Sequence, residues 1–299
     1  MPEKNIKISV LLPIYNGEEF LDETLRNIAN QTYDNFEVII LDNLSSDSTS
    51  EICKKFCNID PRFIYILDNK KRNGNDCIYE LIKFATGEYC IVANDDNLFD
   101  KKAFEILIGQ ISYDKKVEWL ILNGHYVNSQ KTKIKKLRKS VDYLSGHPTF
   151  FKVIMSFLNN DYIATLLCSI YKLETFKKLL PYINLSKFEN EADILMCLKI
   201  FSNLNIKFLD IDILFFRVYD YHERYHDHKI PNKFFDYYME KFYHSCNFLK
   251  SSTNIFIESK LNFFEKIILI LSFSFIYLLK KFYTTAKSFI FKLRKFFKK

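Results

Sequence analysis

The chain has 299 residues, 48% hydrophobic and 26% charged, which excludes a disordered polypeptide and supports a buried core. Its net charge of +7 is concentrated at one end: residues 266–299 hold nine Lys or Arg and no acid, leaving 34 bases against 36 acids in residues 1–265. Phosphate-rich partners need positive charge at the working surface, so a slightly negative body argues against a nucleic-acid enzyme.

The seven cysteines (Cys53, Cys57, Cys77, Cys90, Cys168, Cys197 and Cys246) form no CxxC pair. Cys53 and Cys57, one helical turn apart, read as buried thiols rather than metal ligands. The polar stretch from Met1 to Lys7 runs straight into an apolar segment without a signal-peptide pattern, so the expected setting is the reducing cytoplasm.

Residues 6–14 are a β-branched apolar run containing Pro13, and they predict a buried strand. Asn16 and Gly17 make a turn. Residues 18–31 then place Phe20, Leu21, Leu25 and Ile28 on one helical face. A second strand, Phe36 to Leu41, ends at Asp42. Ser45, Ser46 and Asp47 are expected N-caps for a helix from Thr49 to Phe56. A third strand, Phe63 to Leu67, leads through a polar loop to a helix ending at Ala85, and residues 88–93 form a fourth strand closed by Asn94-Asp95-Asp96-Asn97. Strands alternating with helices predict right-handed crossovers and a mostly parallel sheet.

Beyond residue 98 the pattern is mixed. Val117 to Leu122 and Ile206 to Val218 read as strands, Ala192 to Phe201 as a helix, and Gln130 to Lys139 as a basic loop or hairpin. His222, His226 and His228 fit no familiar closed zinc site.

In such sheets ligands bind outside the C-terminal strand ends. Those ends carry Pro13-Ile14-Tyr15-Asn16, Asp42-Asn43 and Asn94-Asp95-Asp96. Adjacent carboxylates repel and are costly to bury, so Asp95 and Asp96 call for a positive partner. A hard divalent cation bridging substrate phosphates would supply it. A helix-capping pair is the structural alternative, but it leaves Asp42 unexplained.

The segments ISVLLPIYNGEEFLDETLRNIANQTYDNFEVIILDN, SSDST and ATGEYCIVANDDN, in this order and spacing, resemble the inverting glycosyltransferases of family 2. The resemblance covers residues 6–97 closely and 185–226 loosely. It implies a GT-A fold, Rossmann-like with a mostly parallel sheet and helices on both faces, followed here by C-terminal amphipathic helices. It also implies a nucleotide-sugar donor, UDP by expectation, and Mn²⁺ or Mg²⁺ as cofactor. Pro13, Ile14, Tyr15 and Asn16 would line the nucleotide pocket, Asp42 would bond the base, Asp95 the ribose, and Asp96 the metal.

The sequence departs from the family at two points. Asn94 replaces the first Asp of the Asp-x-Asp element. Residues 77–81 lack the usual Ala-Arg-Asn, which implies a missing nucleotide or phosphate contact there, with Arg72 and Asn73 as candidate substitutes. The general base is expected at Glu191, with Asp193 and Glu189 as rivals. Arg217, His222 and Arg224 resemble the segment that closes over the diphosphate.

The expected organisation is a donor-binding half (1–125), an acceptor-binding half (126–240) and a basic helical tail (241–299). Residues 267–279 carry no charge. Phe282, Ala286, Phe289, Leu293 and Phe296 then recur at helical spacing among lysines, a pattern for peripheral attachment to an anionic membrane through residues 263–299. The resulting expectation is a metal-dependent glycosyltransferase at the inner face of the cell membrane, acting on a lipid-linked or surface glycan. A non-catalytic membrane adaptor on a decayed GT-A fold is the alternative. A nucleotidyltransferase would need a Gly-rich loop with a basic residue, which residues 13–17 do not offer.

Overall fold

The computed structural model describes residues 6–128, 131–136, 169–183 and 203–217, with 252, 254, 257–259, 261–271, 274, 277 and 278. The first half alternates β1 (Ile8–Ile14), α1 (Leu21–Ala29), β2 (Phe36–Asp42), α2 (Thr49–Ile59), β3 (Phe63–Leu67), α3 (Gly74–Leu81) and β4 (Tyr89–Val92). There follow β5 (Leu98–Phe99), α4 (Ala103–Tyr113), β6 (Trp119–Val127), β7 (Lys133–Lys136), β8 (Ser169–Lys172), α5 (Leu173–Ile183) and β9 (Ile206–Arg217).

All nine strands join one sheet in the order β3-β2-β1-β4-β8-β6-β9-β5, with β7 paired to β6. The neighbours from β3 to β4 are parallel, as are β6 and β9. The pairings of β8, β7 and β5 are antiparallel. Strands covered on both faces need apolar residues at every position, which explains why β1 and β2 are almost entirely buried. Ile8, Val10, Leu12 and Ile14 meet α1, α2 and α4 in one core that includes Leu25, Phe56 and Phe104. On β1 and β2 also packs α3. Each fully buried Leu, Ile or Phe contributes about 1.5–3 kcal/mol. Trp119, Tyr171 and Phe176 form a separate buried aromatic stack.

The structure corrects several sequence expectations. Ser45, Ser46 and Asp47 do not occupy the N-cap of α2; Ser48 does, without a side-chain cap bond. The two-residue strand β5 and the four-residue β8 are too short to show periodicity, and neither was expected. The basic segment expected as a loop or hairpin is a hairpin over its described residues, with β7 on β6. Residue 125 lies within β6, and strands on both sides of it belong to the one sheet. The expected helix 192–201 and the stretch 282–296 lie outside the described residues.

Between β6 and β9 the register shifts twice, around Asn123. A Cβ on Gly124 would sit 1.6 Å from the Leu214 carbonyl oxygen, so only glycine permits this close passage. Residues 263–271 are helical. Among the described residues no helix is long and apolar enough to cross a membrane.

Candidate functional site

Because β1, β2 and β4 are parallel and adjacent, the segments after Ile14, Asp42 and Val92 emerge side by side. The first two are knitted together. Asn16 takes a positive φ of 50°. Its backbone N–H donates to Ser45 Oγ (3.0 Å), and its side-chain oxygen accepts from Ser46 N–H (2.9 Å). Gly17 N–H donates to Thr49 Oγ1 (2.9 Å), Glu18 N–H to Asp47 (3.1 Å), and Ser48 N–H to the Glu18 carboxylate (3.0 Å). The expected capping residues 45–47 thus brace the neighbouring loop, and Asp47 also accepts from Thr49 N–H at 3.1 Å. Short polar side chains competing for backbone groups make such turns rigid.

Asp42 is fully buried. One oxygen accepts from Ser45 N–H (2.9 Å) and the other from the Tyr65 hydroxyl (2.8 Å). Burial, together with the Asp42 charge, pushes the Tyr65 hydroxyl up to about 12, so it keeps its proton and remains the donor. Asn43 holds the following loop. Its side-chain amide donates to Arg72 O and accepts from Arg72 N–H, both at 2.8 Å. Lys71 donates to the Asn43 carbonyl and lies over the ring of Tyr15, which is half exposed.

The structure brings Arg72 and Asn73 to this edge with their side chains already engaged. Arg72 Nε meets Asp68 at 2.6 Å and Nη2 lies 3.5 Å from Glu80. Burial raises the Asp68 pKa, but Arg72 and two backbone N–H bonds outweigh it and leave the carboxyl below its ordinary value. Asn73 is the side-chain N-cap of α3, accepting from Asp76 N–H at 2.8 Å.

Asp95 and Asp96, both partly exposed, sit in the turn between β4 and β5. Thr24 Oγ1 donates to the Asp95 carbonyl (2.7 Å), and Asn97 donates to Asp96 Oδ1 (3.3 Å). A Cβ on Gly17 would come within 2.7 Å of Asp95 Oδ2, so that glycine leaves room for the carboxylate. Among the described residues no group of three His, Cys, Asp or Glu could hold a metal. A pair of hard oxygen donors suits a cation that takes its other ligands from phosphate and water.

Arg217 ends β9, two residues beyond Phe215, the antiparallel partner of Leu98 in β5. Arg217 is buried, lies over the Phe20 ring (4.5 Å to the centroid) and pairs with Glu23, which also pairs with Lys131. Burial raises the Glu23 pKa, but these two cations more than offset it and the carboxyl stays below its ordinary value. Glu191, Asp193, Glu189, His222 and Arg224 lie outside the described residues. Sequence reasoning missed Asn43 as the clamp on Arg72 and the Glu18, Asp47 and Thr49 cross-braces. The turn-forming types at Asn16-Gly17 and 45–49 were the available signal, but not their pairing across about thirty residues.

Three parallel strand ends at one sheet edge, one followed by paired carboxylates, are the arrangement of a GT-A-type fold. Residues 9–180 match the family model "Glycosyl transferase family 2", more than half of the chain, and the chain belongs to that family. It is 34% identical over 122 residues to the glycosyltransferase GlyG of Streptococcus pneumoniae, 40% of this chain and 39% of GlyG. It is 30% identical over 107 residues to the GalNAc(5)-diNAcBac-PP-undecaprenol beta-1,3-glucosyltransferase of Campylobacter jejuni, 36% of this chain and 32% of that protein. The match therefore spans well under half the length of either relative. Among solved structures, S. aureus TarS 1–349 with UDP-GlcNAc superposes with a TM-score of 0.65 at 21% identity, covering 90% of this chain and 71% of that one.

Proposed function

We propose that the protein is a metal-dependent inverting glycosyltransferase that moves one sugar from a UDP donor to a lipid-linked or surface glycan. The observation that carries this reading is the meeting of Tyr15–Asn16, Asp42–Asn43 and Asp95–Asp96 on one sheet edge, supported by the family match across residues 9–180. TarS, whose fold is shared, is a UDP-GlcNAc complex, and the Campylobacter relative is named for an undecaprenol-linked acceptor.

In this reading Pro13, Ile14, Tyr15 and Asn16 line the nucleotide pocket, and the loop at Arg72–Asn73, held by Asn43, forms a wall. An ionised carboxylate offers about four acceptor sites. Asp42 uses two of them, so it can still accept from a base N–H. Asp95 faces the ribose. Asp96 would hold Mg²⁺ or Mn²⁺, which when bound neutralises charge on the leaving diphosphate. Arg217 and the segment with His222 and Arg224 close over that diphosphate. Glu191, or its rivals Asp193 and Glu189, takes the proton from the acceptor hydroxyl as that oxygen attacks the anomeric carbon. Residues 263–299 attach the enzyme peripherally to the inner face of an anionic membrane, where a lipid-linked acceptor is found. Residues 1–125 and 126–240 are then the donor and acceptor halves of one sheet.

The deciding experiment is Asp96→Ala. Transfer and metal-dependent UDP binding should vanish while the thermal transition stays near that of the parent, because the residue lies in a partly exposed turn. Near-normal turnover would defeat the assignment.

A further inference from the structure

Helix 263–271 presents two apolar faces. Leu269 is fully buried, whereas Phe263, Phe264, Ile267, Ile268 and Leu271 are exposed, Phe263 and Phe264 by 71% and 75%. Positions 264, 267, 268 and 271 recur at helical spacing and share one side, and 263 lies beside them. Glu265 and Lys266 fall off that side, and Lys266 turns its ammonium back to the Ile257 carbonyl at 2.8 Å. Five large apolar side chains without an intervening charge form a patch of the kind that marks an interaction surface.

Resting on the peripheral attachment proposed above, we propose that this face is the part of the protein that enters the lipid, inserting side chains below the headgroups of an anionic leaflet. The occupant is argued from charge. After Leu279 the sequence supplies eight further cations and no acid, which complements an anionic headgroup layer beside an apolar face. The charge-free segment 267–279 is 13 residues long, about 20 Å as a helix, short of the ~30 Å hydrocarbon core. A stretch of that length suits the interface rather than a crossing. Electrostatics recruits the protein, and the apolar face makes the attachment resistant to salt.

The test uses the full chain with phosphatidylglycerol–phosphatidylcholine vesicles. The parent should float with them, and a fraction should stay bound in high salt. Phe264→Ser combined with Ile268→Ser and Leu271→Ser should abolish that fraction and leave low-salt binding largely intact; the changes are at exposed positions, add no charge, and should not alter the thermal transition. Phe264→Trp should be quenched by lipids brominated near the headgroup end of the acyl chain, against the background of buried Trp119, the chain's one native tryptophan. Salt-resistant binding unchanged in the triple variant, or no quenching of Phe264→Trp, overturns insertion by this face while attachment through the cations stands. A parent that binds no vesicle at any salt overturns attachment itself. A parent that self-associates through this face, with vesicle binding unaffected by the triple variant, assigns the face to a second copy instead.

Discussion

Five residues apart on β2, Glu37 and Asp42 are both buried carboxylates, one near each end of the strand. Glu37 is saturated. Lys7 Nζ reaches it at 2.7 Å and Ser9 Oγ at 2.6 Å, Thr86 N–H donates at 2.7 Å, and the Thr86 hydroxyl lies within 3.0 Å of both oxygens. Asp42 receives one donor per oxygen, from Ser45 and Tyr65. A carboxylate with all its acceptor capacity used serves the fold, and one with capacity left can serve a ligand. The two ends of the sheet thus divide the work: the Glu37 end ties β1, β2 and the start of β4 together, and the Asp42 end holds loops in place.

This division can be broken from either side. The largest effect is expected at the chemistry. Glu191→Gln should leave UDP binding nearly intact and lower transfer by about 10²–10⁴-fold, the usual worth of a general base. If Asp193→Asn or Glu189→Gln carries that loss in steady-state assays, the base belongs there instead.

Next comes the saturated end. Glu37→Gln removes charge-assisted bonds to partly buried groups and should cost about 2–3 kcal/mol in denaturant unfolding, while donor KM stays unchanged. The same residue sets an acid limb. Burial raises its pKa, but Lys7, Ser9 and Thr86 together hold it below the ordinary value of 4.5. Its contribution is therefore full above about pH 4.5 and lost as the pH falls through the lower folded value. Melting curves of parent and Glu37→Gln should accordingly differ most above pH 4.5 and converge in stronger acid.

The smallest stability effect is expected at the Asp42 end, proposed above as the donor side. Asn43→Ala releases the backbone of Arg72 at a cost of about 1–2 kcal/mol. Donor KM should rise and kcat should barely move, because the change loosens a binding wall and spares the reacting groups. A stability loss with no KM change would place Asn43 with Glu37, on the structural side.

The strands and their tips were legible because burial on both faces writes unbroken apolar runs such as VIIL, and the polar residues that end those runs stand out. The Asp95–Asp96 pair was visible for the same reason. The register around Gly124 was not, since a shift in β6–β9 pairing leaves no local mark. Nor was the Asn43 amide's hold on Arg72, which joins residues 29 positions apart. The polar residues at 45–47 read as helix caps, yet Ser48 takes the cap position while Ser45 and Asp47 also accept from Asn16 and Glu18, partners reached only when β1 and β2 lie side by side.

That cross-bracing constrains how the molecule can be re-engineered or diversified. In all five bonds a backbone N–H of one loop is satisfied by a side chain of the other, three donated by residues 16–18 and two by Ser46 and Ser48. Neither loop is a separable module. Grafting residues 15–18 alone from another sequence would strand the donors at 46 and 48, and grafting 44–49 alone would strand those at 16, 17 and 18. The two segments form a single unit of inheritance, and a change of ligand preference written into one must be written into the other in the same step.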